Sequence, residues 1–130
     1  MMSFTRATAF VTSDMVRPAS LASPEPVWIF CTDDEIRSLA ISQRLLGTTE
    51  IILIHHTGCG LLNVTEESFK RDIQNDTGIR PSWSVEAFTD VYEDVRQSIA
   101  RIKASPFVPN KDHIRGFVFD VSTGKLNEVI

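Results

Sequence analysis

Four consecutive residues, His56-Thr57-Gly58-Cys59, place an imidazole and a thiol three positions apart at the end of an apolar run. Zinc takes nitrogen and thiolate donors converging at about 2.0 to 2.3 Å in a tetrahedron. A His-x-x-Cys pair supplies one of each from a single turn, and Gly58 and Gly60 are expected to let the backbone fold tightly enough to aim both. Cys31 is the candidate third donor, because it ends an earlier apolar run. If the two runs are neighbouring parallel strands, their ends lie about 4.8 Å apart. A Cys31, His56 and Cys59 set plus one water keeps the open position that catalytic zinc requires. Two alternatives stand beside it: Cys31 packs in the core, or Cys31 and Cys59 form a redox thiol pair.

The elements that must hold these residues follow from local pattern. Val27-Trp28-Ile29-Phe30 reads as a short buried strand after Pro26. Thr32-x-x-Glu35 is a capping box that opens a helix. Ile36, Leu39, Ala40 and Leu46 form its apolar face, with Ile41 and Leu45 widening the stripe and Gly47 ending it. Glu50 to His55 is the next strand. Its four consecutive aliphatics predict a parallel strand covered on both faces. Strand, helix and strand over Val27 to His56 make one right-handed βαβ unit, and sites in open α/β sheets form at the carboxyl ends of such strands.

Downstream, a helix is predicted from about Thr65 to Gln74, capped by Asn63 or Thr65 and broken by Asn75-Asp76-Thr77-Gly78. Phe88, Val91, Val95, Ile99 and Ile102 repeat at three and four and predict an amphipathic helix ended by Ser105-Pro106. His113 to Val121 is a strand, Ser122 to Lys125 a turn, and Leu126 to Val129 a last strand. His55 alternates away from His56 and is expected to face a helix or a subunit contact. His113 is expected at the surface.

Composition narrows the function classes. One domain's worth of chain, 130 residues, can bury a core without disulfide staples. Two cysteines are too few for a secreted disulfide framework. A net charge of −4 without a Lys/Arg cluster argues against nucleic acid as a partner. The longest uninterrupted apolar run, Ile51 to Ile54, is too short to span a bilayer, so a soluble protein with no membrane partner is expected. Residues 1–26 are rich in Ser, Thr, Ala and Pro and read as an irregular N-terminal arm preceding a single α/β domain over 27–130. The cytoplasm is the expected compartment. Arg6 and Arg17 with a single acid, Asp14, leave a mitochondrial presequence as the alternative.

The stretch Ile52 to Leu62, with His55-His56-Thr57-Gly58-Cys59-Gly60, resembles the metal-binding strand of β-class carbonic anhydrases, particularly the short microbial and fungal type. Thr32-Asp33-Asp34 with Arg37 to Ser42 and Leu45-Leu46-Gly47 resembles the helix before that strand. Val95 to Pro109, Arg115 to Val121 and Thr123 to Leu126 resemble the closing helix and strands, so the resemblance covers residues 32–130. It implies an α/β fold with a mainly parallel sheet flanked by helices. It also implies zinc held by Cys, His and Cys, hydration of carbon dioxide to bicarbonate, and a homodimer or higher homo-oligomer. His56 and Cys59 match the second and third ligands.

Departures from the family pattern are equally specific. Its first ligand lies in Cys-x-Asp-x-Arg; Cys31-Thr32-Asp33 keeps the first part, with Glu35 where Arg would fall. Aligned through the helix instead, Cys31 matches no ligand. No segment matches Arg-Asn-Ala-Gly-Gly, and Gly58 stands where the family carries Asp. A sheet strand is therefore expected to be missing, in a truncated or divergent member. Asp33 is the candidate catalytic residue, orienting the fourth ligand, and Arg37 lies at the i,i+4 spacing that would pair with it. The competing reading is an inactive remnant that keeps the fold as a structural or partner-binding protein.

Overall fold

The computed structural model describes residues 8–12, 32–62 and 64–130. Four strands form one sheet in the order β1-β2-β3-β4, where β1 is Thr8–Thr12, β2 Glu50–His56, β3 Ile114–Asp120 and β4 Lys125–Val129. The pairs β1–β2 and β2–β3 are parallel and β3–β4 is an antiparallel hairpin, so the sheet is mainly parallel, as expected. The described residues also form three helices: α1 (Asp33–Leu45), α2 (Glu66–Thr77) and α3 (Val91–Ala104). None is long and apolar enough to cross a membrane among the described residues.

Helix α1 begins where its cap dictates. The Glu35 carboxylate accepts from Thr32 N at 2.7 Å and from the Thr32 hydroxyl, while Asp33, Asp34 and Glu35 in the first turn complement the helix dipole. Gly47, with φ +72°, takes the chain out of the helix. The apolar stripe is narrower than the sequence suggests. Ile36 and Leu39 are buried, whereas Ile41, Leu45 and Leu46 are exposed. Gln43 completes the inner face by exchanging two hydrogen bonds with the Asn110 backbone, at 2.8 and 2.9 Å.

Two departures concern the sheet. Thr8–Thr12 lies within the stretch expected to be irregular, yet it forms β1 and runs parallel to Glu50–Ile54. Phe10, Val11 and the flanking threonines favour extended backbone, and the open edge of β2 offers a row of backbone partners. The predicted strand Val27–Phe30 lies outside the described residues.

The second departure is coverage. Helix α3 packs across β2, β3 and β4, and α1 packs against β1. Beneath α3, Leu53, Val95, Val118 and Val129 form a buried cluster, with a second cluster of Ile36, Leu39, Ile51, Ile102 and Val108 beside it. The opposite face carries Ile52, Ile54, Phe117, Phe119 and Leu126 and is only partly buried among the described residues. A continuous aliphatic run thus reports the central parallel strand of a sheet flanked by helices, whose second face is only partly buried among the described residues.

Helix α2 runs three residues beyond its predicted end, to Thr77, because Gly78 (φ +76°) rather than Asn75 supplies the left-handed stop. Thr65 occupies its N-cap position. Helix α3 starts at Val91, after Asp90 rather than near Phe88. The Asp90 carboxylate accepts from Tyr92 N at 2.8 Å and Glu93 N at 3.2 Å, and Phe88 instead makes a parallel bridge to Leu62.

Candidate metal centre

His56 is the last residue of β2, and Cys59 follows in the loop. Both are buried and both line one cleft of about 260 Å³, at the carboxyl end of the strand. Thr57 pins this loop to β3: its N–H donates to Phe119 O at 2.9 Å, and its hydroxyl accepts from Val121 N at 3.1 Å. Gly58 adopts φ +67°, a left-handed conformation that glycine enters freely and that Asp or Asn tolerates better than other residues. Leu62 N then donates to Cys59 O at 3.0 Å and closes the turn. Gly60 is not in that left-handed region and has nothing within 4 Å of a built Cβ, so the turn depends on one glycine, not two.

His56 Nδ1 lies 2.7 Å from the Thr57 carbonyl oxygen. With Nδ1–H donating, the lone pair is left on Nε2, the tautomer a metal needs when a carbonyl orients the ring. Burial pushes the His56 pKa below its ordinary value of 6.5, and neighbouring His55 adds to this, against an opposing pull from the Thr57 carbonyl. The ring is therefore neutral near neutral pH, as ligation demands. A nitrogen and a buried sulfur in one cleft fit half of a zinc donor set. Among the described residues no third His, Cys, Asp or Glu completes a metal-holding group with them. Cys31 lies outside the described residues.

The other sequence candidates fall elsewhere. Asp33 is fully exposed at the start of α1, with Oδ1 3.2 Å from Arg101 Nη2, and lines a separate cleft with Trp83, Ser84 and Glu86. Arg37 pairs with Asp34 at 3.1 Å, not with Asp33, and both partners are exposed. The spacing allowed either acid, and the longer reach to Arg101 decided for Asp33. His113 is exposed at the amino end of β3, away from the carboxyl ends where His56 sits.

Sequence reasoning missed Asp90 and Asp94. Asp90 lines the cleft opposite His56 and Cys59, together with Phe88, Thr89 and Val91. Its place before an amphipathic helix was the available signal for an N-cap. Asp94 Oδ2 lies 2.8 Å from His55 Nδ1, with His55 buried and Asp94 largely so, and His55 faces a helix as expected. No local pattern links residues 39 positions apart.

No family model matches the chain. Relatives do. The chain is 67% identical over 98 residues to β-carbonic anhydrase 1 of Mycobacterium tuberculosis, which spans 75% of this chain and 60% of that protein. A carbonic anhydrase structure from Streptococcus mutans superposes with a TM-score of 0.70 at 42% identity, over 76% of this chain and 60% of that one. A carbon disulfide hydrolase of Acidithiobacillus thiooxidans is 29% identical over 114 residues, covering 73% of this chain and 57% of that protein. The chain thus spans about 60% of the length of the first two. Identity of this depth, joined to the shared fold around His56 and Cys59, makes the chain a member of the β-carbonic anhydrase family.

Proposed function

We propose that this chain carries the histidine–cysteine half of a zinc site for the hydration of carbon dioxide to bicarbonate, with Cys31 as the third protein ligand. The observation that supports it best is the pairing of His56 and Cys59 in one buried cleft, with the imidazole oriented by the Thr57 carbonyl. Zinc, when bound, supplies the positive charge that makes water acidic enough to attack carbon dioxide near neutral pH. The chain's own residues do the rest. Thr57 holds the proton on His56 Nδ1, Gly58 turns Cys59 into the cleft, and Phe88 to Val91 line the same cleft. Support extends to His56 and Cys59 and not to Asp33, whose carboxylate lies on Arg101 in another cleft.

A second reading is a family member that keeps the fold for structure or partner binding without catalysis. It is favoured by the lack of a segment matching Arg-Asn-Ala-Gly-Gly and by Asp33 lying in another cleft. Zinc content per chain, measured beside carbon dioxide hydration by stopped flow, separates the two. The proposal expects stoichiometric zinc and hydration above background, both abolished in Cys59→Ser, because a serine hydroxyl is a poor zinc donor at neutral pH. Zinc-loaded but inactive protein would leave the metal a structural role and sink the enzyme reading.

For partners, we propose self-association into a homodimer. The half-covered sheet face and the edge strands β1 and β4 are surfaces that a second copy would bury.

A further inference from the structure

The buried pair His55–Asp94 takes no part in the chemistry proposed above, yet it joins the two walls of the cleft. His55 immediately precedes His56 on β2 and turns to the sheet face beneath α3, alongside Leu53. Its Nδ1 meets Asp94 Oδ2 at 2.8 Å, with side-chain exposures of 6% and 12%. Asp94 lies one helical turn after Asp90, and Asp90 and Val91 line the same cleft as His56 and Cys59. A helix turn is stiff, rising about 5.4 Å, so fixing Asp94 fixes where the start of α3 sits. On the strand side, a shift of His55 moves the peptide that carries His56.

We propose that His55 and Asp94 are positioning residues: their contact sets the spacing between the His56/Cys59 half-site and the first turn of α3. A pair of leucines would fill the same space without the desolvation cost of two polar groups, so stability alone is a weak reason for a buried pair of this kind. What a leucine pair lacks is a polar contact between one atom on β2 and one on α3. The opening of the cleft should follow that contact, and with it the exposure of Cys59 and the grip on a metal. The metal arm rests on the zinc reading above, whereas the exposure arm does not.

The test compares parent, Asp94→Ala and Asp94→Asn proteins. Two quantities are read: the alkylation rate of Cys59 in metal-free protein, resolved by peptide mass spectrometry, and zinc affinity by competition with a chelating dye. Ala suits a helix and removes the contact; Asn keeps the size and a polar oxygen facing His55. Asp94→Ala is expected to raise the Cys59 rate and to weaken zinc binding by about 10-fold, the lower end of what lost supporting contacts cost a metal site. Asp94→Asn is expected to stay within about 2-fold of the parent, well inside that range. A folded Asp94→Ala with parent-like alkylation overturns the proposal, and so does an Asn variant as impaired as the Ala variant. If Asp94→Ala does not fold, His55→Leu/Asp94→Leu, which leaves no orphaned charge, is read by the same two measures. A parent that binds no zinc defeats the zinc reading alone, because Cys59 alkylation still decides the positioning role.

Discussion

Gly116 backs directly onto Val95: a Cβ built at Gly116 would stand 2.4 Å from Val95 Cγ1 and 2.8 Å from Ile99 Cδ1. Val95 is fully buried and β-branched, so it cannot swing aside. The glycine is what lets α3 lie close on β3. Gly116→Ala should therefore destabilise the fold by about 1 to 3 kcal/mol through overpacking. Urea denaturation gives the change. A variant as stable as the parent would mean that α3 packs further from the sheet than described here.

Asp33 offers a sharp separation of geometry from motif. Its carboxylate is fully exposed and, among the described residues, pairs with Arg101, so Asp33→Ala should leave zinc content and kcat/KM for hydration unchanged. Exposed ion pairs contribute little, and the melting temperature should barely move. A fall in kcat with zinc retained would instead restore Asp33 as the orienting group.

Acid should loosen the β3–β4 hairpin in a defined sense. The Arg115 guanidinium donates to the Glu128 carboxylate at 2.7 and 3.0 Å and holds its pKa below the ordinary value of 4.5. Ser122 does the same for Asp120, whose ordinary value is 3.8, and Lys70 for Glu66. A carboxylate whose folded pKa is depressed stabilises the fold above its unfolded pKa, and that contribution is lost as pH falls through the folded value. Stability should thus begin to fall as pH drops below about 6.5, where unfolded His56 takes up a proton that burial resists in the fold, and fall further below about 4.5, where the carboxylate contributions are lost. In Glu128→Gln the decline should be shallower. Thermal melts from pH 3 to 7 check it, and an identical acid limb in both proteins would remove Glu128 from the account.

Light scattering across a concentration series tests self-association. A dimer is expected, since Phe119 (38% exposed) and Leu126 (49% exposed) share one sheet face with Phe117 and Ile54. Phe119→Lys should shift the equilibrium to monomer if that face is the contact. A monomer at every concentration defeats the dimer proposal, and a Phe119→Lys dimer moves the contact to another surface.

Local chemistry was legible without a structure. Thr32 and Glu35 define a helix start because a capping box needs only residues three apart, and α1 begins there. The three-and-four repeat from Val91 to Ile102 marks α3 for the same reason. His56 and Cys59 share a cleft because three residues and one left-handed glycine cannot carry them far apart. Tertiary structure decided whatever depends on distant residues meeting. It recruited Thr8–Thr12 to the open edge of β2, turned Asp33 to Arg101, and brought Asp94 under His55 across 39 positions. It also left Ile41, Leu45 and Leu46 exposed although their spacing suits a buried stripe. Spacing along a helix says which residues share a face. Only the packing of α3, β2 and β3 around them says whether another element is there to meet it.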